Sequence, residues 1–223
     1  MLGKGKYESQ LNLIEFILKH LDFLEQRNRF PASMPDISFL RKASYPDNWK
    51  ILVKQNYFHF QLKDNSLFYF LAKNDFEILS YSYYECPFLC LTYEEFLGDF
   101  NFDPAEAGHE FYNDYEIYLD GCEIRSSFAP IRYDYDPNAY RQAVHPASHI
   151  HIGASNEIRI GCDKILEPIS FFLFVIRQIY PSYWTIMLRT KVIEKFHTSR
   201  KRDLQSVKAD LWNEMDFNEL HLV

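Results

Sequence analysis

Two short runs, SHIHI (Ser148–Ile152) and EIRIG (157–161), alternate polar and apolar residues one for one. Side chains in a strand point to opposite faces with period two, so a strand sorts such a run cleanly and a helix does not. Gly153 to Asn156 supply turn chemistry between the runs, which predicts an antiparallel hairpin. Ile150, Ile152, Ile158 and Ile160 then share one face. His149, His151, Glu157, Arg159 and Gly161 share the other. Directly opposed residues of an antiparallel pair lie on the same face. Setting isoleucine against isoleucine therefore places Arg159 across from His149 or His151, and Gly161 is expected to leave that face open. A slip of one residue would bury the histidines and expose the isoleucines, so the register is firm.

The pattern recurs upstream in IRYDYD, where Ile131, Tyr133 and Tyr135 alternate with Arg132, Asp134 and Asp136. If this strand joins the same sheet, the polar faces merge. His145, fixed beside Pro146 just before the second strand, lies within reach. His145, His149, His151, Arg132, Asp134 and Arg159 are thus the candidate catalytic residues.

No Gly/Ser-rich or Pro-rich linker divides the 223 residues, and 47% of them are apolar, enough for one sizeable core. The expectation is a single α+β domain over 1–223: an antiparallel sheet flanked by an N-terminal amphipathic helix and a C-terminal helical bundle. Residues 1–55 read as the helical N-terminal part, 56–165 as mainly antiparallel sheet with inserted helices, and 166–223 as the helical C-terminal part. Leu11, Ile14, Leu18, Leu21 and Leu24 recur at helical spacing and predict an amphipathic helix over 8–28. Asp36 can cap a short helix over 37–42. Strands are expected over Tyr57–Leu62, Ser66–Leu71 and Phe76–Tyr84, with turns at Lys63-Asp64-Asn65 and Lys73-Asn74-Asp75. Thr92 and Glu95 form a capping box. Ala105–Leu119 leans helical and Ile124–Phe128 reads as a strand. Helices follow over Ile169–Tyr180, which is apolar nearly all round, and over 183–196 and Asp203–Phe217. Tyr81, Tyr83 and Tyr84 are expected to pack the sheet against helices.

Net charge is −7, unevenly spread. About a dozen acidic residues and no Lys or Arg occupy 75–123, whereas Arg189, Lys191, Lys195, Arg200, Lys201, Arg202 and Lys208 crowd 189–208. Such charged C-terminal helices suit a protein partner or a homo-oligomer. There is no apolar leader and no run long enough to span a bilayer, so the chain reads as soluble and cytoplasmic, without membrane contact. Cys86, Cys90, Cys122 and Cys162 have no metal or redox spacing and read as reduced thiols.

The polar face admits three readings. In the first it cleaves RNA without a metal or other cofactor. That chemistry needs a base for the 2′-hydroxyl, an acid for the leaving oxygen and cations for the phosphorane charge. His149 and His151 would be the acid/base pair, because imidazole titrates near neutrality. Arg132 and Arg159 would hold phosphate, Asp134 would orient a histidine and His145 would assist. In the second, two histidines at i and i+2 on one strand bind a divalent ion, with Asp134, Asp136, Glu157 or His145 completing the set. In the third, the face is a hydrogen-bonded polar layer under the C-terminal helices.

HPASHIHIG followed by EIRIG resembles an uncharacterised bacterial family known as a domain of unknown function. RYD followed by HPASHIHIG is similar to the pattern of TumE-type toxins of toxin–antitoxin systems, over about thirty residues. Arg132, Asp134, His149 and His151 are the matching positions. The resemblance implies a ribonuclease-like effector of a toxin or phage-defence system. The alternative is a non-catalytic subunit of a multi-protein defence complex. The acidic surface departs from what stand-alone RNA binding needs, so a partner would supply the basic surface.

Overall fold

The alternating segments form three neighbouring strands of one seven-stranded sheet. A computed structural model of the chain describes residues 2–32, 43–108, 110–155, 158–192, 203–219 and 221–222. In chain order, α1 (Lys4–His20) leads to β1 (Leu24–Arg27), α2 (Tyr45–Lys54), β2 (Phe60–Leu62), β3 (Leu67–Lys73) and β4 (Ile78–Tyr84). Then come β5 (Phe88–Leu89), α3 (Tyr93–Asp99), α4 (Pro104–Ala107), α5 (Tyr112–Asp120) and β6 (Glu123–Ile124). β7 (Ile131–Tyr135), β8 (Ser148–Ile152), β9 (Ile158–Gly161), α6 (Pro168–Ile179), α7 (Pro181–Arg189) and α8 (Glu214–Asn218) follow. The large sheet has the order β1-β2-β3-β4-β7-β8-β9, and β5 pairs with β6 apart from it. Every neighbouring pair is antiparallel. The fold is α+β, with a helix at the N-terminal end and helices at the C-terminal end.

Phe68, Phe70, Tyr81, Tyr83, Ile131, Tyr133, Tyr135 and Ile150 line one face and are buried with α1 and α6. Phe171 of α6 lies 6.4, 6.2 and 5.9 Å, ring to ring, from Phe68, Phe70 and Tyr81. Each such buried side chain contributes roughly 1.5–3 kcal/mol relative to exposure. The opposite face is shared. At its β3–β4 end Leu67 and Tyr84 join a second core with Trp49, Phe88, Phe96 and Tyr115. Its β7–β8–β9 end carries the polar residues.

Several elements differ from the sequence expectation. The first helix ends at His20, because Asp22 takes φ 50 and the chain reverses into β1, which pairs with β2. Sheet pairing there outweighs helical periodicity, a tertiary effect that a local pattern cannot register. The second expected helix of the acidic segment is split into α4 and α5 by Gly108 at φ +53. Ile124–Phe128 contributes only the end of β6. Asp203–Phe217 is not one helix: Val207 N–H donates to Asp163 O (2.8 Å) and Ile165 N–H to Gln205 O (2.8 Å), so the backbone lies alongside the chain leaving β9. Its one complete helix among the described residues is α8. α7 ends at Arg189, and Lys191 follows at φ 58. The capping box on α3 forms as expected, with Thr92 Oγ1 accepting from Glu95 N–H at 3.2 Å and Thr92 N–H donating to the Glu95 carboxylate at 2.8 Å. The short helix expected over 37–42, Glu157, and Lys195, Arg200, Lys201 and Arg202 lie outside the described residues. Among the described residues no helix is long and apolar enough to cross a membrane.

Candidate functional site

Strand register brings the polar alternation of four strands into two rows. Ser82, Arg132, His151 and Arg159 are successive cross-strand partners in one row. Ser80, Asp134, His149 and Gly161 are successive partners in the next. Arg159 therefore stands opposite His151 rather than His149. On the other face Ile150 is buried and Ile152 packs against the core. Ile158, on the edge strand, is 55% exposed.

His149 and His151 are 2% and 3% exposed. Their Nε2 atoms are 3.0 Å apart. Asp134 Oδ2 lies 3.9 Å from the first and 3.7 Å from the second. His149 Nδ1 is 2.9 Å from the carbonyl oxygen of Pro146. A carbonyl only accepts, so Nδ1 carries the proton and donates. Burial holds the His149 pKa down to about 4, against the opposing pull of the Asp134 charge. At neutral pH this imidazole is therefore uncharged, with the lone pair of Nε2 turned toward His151 and Asp134. Asp134 is itself held on both oxygens: Ser80 Oγ–H donates to Oδ1 at 2.7 Å and Arg132 Nε–H to Oδ2 at 2.8 Å.

Three ligand-type atoms thus converge within 4.8 Å of one another. Their separations of 3.0, 3.7 and 3.9 Å define a triangle of circumradius about 2.1 Å, the length of a zinc–imidazole or metal–carboxylate bond. A histidine whose other nitrogen donates to a backbone carbonyl, beside a carboxylate fixed by further hydrogen bonds, is the outer-shell arrangement that orients metal ligands.

The other expected residues sit around this trio. The His145 ring packs edge-on against His149, with centroids 4.8 Å apart. Arg159 is exposed and lines a depression together with His145 and Arg141. Asp136 caps the turn that follows β7 through Asn138 N–H and takes no part. Gly161 does not leave the face open: a Cβ there would meet the Trp212 ring at 3.1 Å and Pro146 at 3.3 Å. The C-terminal segment and the Pro146 loop occupy that space, so Gly161 permits close packing.

Sequence reasoning missed Ser80, Pro146 as a carbonyl acceptor, Arg141 and Trp212. Ser80 was accessible to it, because ILSYSYY (Ile78–Tyr84) places Ser80 and Ser82 in the same period-two alternation. The others belong to loops, which have no periodicity to read.

The chain matches, over residues 23–217, the family described as Uncharacterized conserved protein (DUF2290), and it belongs to that family. No curated protein and no solved structure matches it.

Proposed function

We propose that this member of the family carries one divalent transition-metal ion on His149, His151 and Asp134, and that the ion activates a water molecule for hydrolysis. The observation that carries the reading is the triangle of Nε2, Nε2 and Oδ2 atoms, sized for a metal ion bound at about 2.1 Å. Two nitrogens and one oxygen suit zinc, iron(II) or manganese(II). Three protein ligands leave a coordination position for water, as catalytic zinc sites do, whereas structural zinc sites are closed by four. The bound ion would lower the pKa of that water. Asp134, whose side chain is 21% exposed, forms the open side of the trio.

The same pair favours one other reading. An Nε2–Nε2 hydrogen bond of 3.0 Å is a shared-proton arrangement, suited to metal-free acid/base cleavage of RNA. The effector role of a toxin or defence system belongs with it. Burial of both rings opposes this reading, because a 2′-hydroxyl would have to reach them.

Protein prepared without an affinity tag and loaded with zinc, iron(II), manganese(II) or cobalt(II) should retain one ion per chain by elemental analysis. The cobalt form should show visible d–d bands. His149→Ala, His151→Ala and Asp134→Asn, checked for folding by circular dichroism, should each lose the ion. Folded wild-type protein that retains none of the four metals would overturn the proposal. RNA cleavage that persists in excess EDTA and disappears in His149→Ala would instead establish the metal-free reading.

A further inference from the structure

Beside the histidines lies an open depression of about 350 Å³, lined by Asn138, Ala139, Arg141, Val144, His145 and Arg159. Two of those six residues carry a permanent positive charge and none carries a negative one. In a chain of net charge −7 this is a local reversal of sign. Neither guanidinium forms an ion pair among the described residues, whereas Arg132, two strands from Arg159, is committed to Asp134. Two like charges brought to one concavity are stabilised by an anion between them.

The depression is preformed. The 140–145 loop is closed by Arg141 N–H to His145 O (2.9 Å) and His145 N–H to Arg141 O (2.7 Å). It is pinned from beneath by buried Asp216, which accepts from Tyr140 Oη–H (2.7 Å) and Ala143 N–H (3.0 Å). Arg159 comes from β9 and is fixed in register opposite His151. The two cations therefore arrive from separately anchored elements. His145 lines the depression as well, and its shielded Nδ1 has no hydrogen-bond partner among the described residues.

Guanidinium is planar and presents paired N–H donors that match the oxygens of phosphate. The volume exceeds what a bare ion needs and falls in the range of small-ligand sites. We propose that this depression binds the phosphate group of a small phosphate monoester, with Arg141 and Arg159 gripping the phosphate from opposite sides and His145 contributing a further hydrogen bond. A loop-and-edge-strand concavity of this size fits a terminal phosphate with a short organic body better than a track of phosphodiesters, which needs a long basic surface. The site stands on its own residues and does not require the metal.

The test is calorimetric titration with adenosine 5′-monophosphate in excess EDTA, so that failure of the metal reading leaves it unaffected. Adenosine, inorganic phosphate, succinate and a single-stranded RNA without terminal phosphate are the comparison ligands. The monophosphate should bind with one site per chain, and inorganic phosphate should compete with it. Adenosine and succinate should not. Arg141→Ala and Arg159→Ala should each weaken binding by about tenfold or more, and Arg159→Lys should restore part of the loss. Both positions are exposed, and circular dichroism will confirm that the variants fold. Absence of saturable binding at millimolar monophosphate would overturn the proposal. So would binding that both arginine variants retain, or binding of the RNA in place of the monophosphate.

Discussion

His59 offers a quantitative test of how the sheet treats a buried imidazole. It is 7% exposed, its ring lies against Tyr69 and Phe70, and its Nδ1 accepts the Phe70 N–H at 3.2 Å. Burial, with a smaller contribution from the Arg27 guanidinium, holds its pKa down to about 3. An unfolded histidine titrates near 6.5. Between those two values the unfolded chain takes up a proton that the folded chain refuses, so stability falls as pH falls. The contribution is complete above about pH 6.5 and is lost progressively down to about pH 3. The loss is about 3 kcal/mol by pH 4.5 and about 5 kcal/mol at the lower limit. His149 adds an acid-linked loss of the same sign.

The perturbation that isolates His59 is His59→Asn, which keeps an acceptor close to the position of Nδ1 but cannot take up a proton. Urea unfolding at pH 7, 5.5 and 4.5 is the assay. At pH 7 the variant should be less stable by about 1–3 kcal/mol, from the lost ring contacts. Between pH 7 and 4.5 it should lose about 3 kcal/mol less than the wild type. The His149 contribution is common to both proteins and cancels in the comparison. Parallel stability curves for the two proteins across this pH range would refute the reasoning.

Three further outcomes are expected. Ser80→Ala removes the donor to Asp134 Oδ1 without touching a ligand, and should weaken zinc or cobalt binding by about 10–100-fold in competition with a chelator; unchanged affinity would remove Ser80 from the site. Gly161→Val drives branched carbon into Trp212 and Pro146 and should destabilise by about 1–3 kcal/mol, with a change in tryptophan fluorescence; an unaltered melting temperature and spectrum would show that the roof over His149 is loose. The thiols of Cys86 and Cys90 are 4.0 Å apart, and hydrogen bonding from Cys86 pulls the Cys90 thiol below its ordinary pKa. A small-molecule disulfide should therefore oxidise this pair to an intramolecular disulfide, becoming two thiols itself. Peptide mapping after oxidation checks this, and both cysteines remaining as free thiols or mixed disulfides would contradict it.

How far the site was legible from the chain can be judged strand by strand. β8 runs from Ser148 to Ile152, as its alternation requires, and the same rule puts Arg132 and Asp134 on the face of His149 and His151 once β7 pairs with β8. The rule works because a one-residue slip would exchange the two faces and take Ile150 out of the apolar core, although both faces of β8 are covered. It works less well at β9, where Ile158 is on the expected side but at an edge that no helix covers. β1 was hidden because Leu21 and Leu24 satisfy a helical period equally well, and only β2, some thirty-five residues away, offers the hydrogen bonds that make Leu24–Arg27 a strand.

The amino-acid sequence thus determined which side chains share a face, because period-two geometry and the exclusion of isoleucine from water are local rules. Only the tertiary structure decided what that face became. It set the two Nε2 atoms and the Asp134 carboxylate at the separations of a metal site, and placed Ser80 and the Pro146 carbonyl behind them. It also closed the space over Gly161 with Trp212, and gathered Arg141 and Arg159 around a depression that no linear motif announces. Those outcomes depend on distances between segments far apart in the chain, and on which polar group is left dry enough to need a partner. Local periodicity carries no record of either.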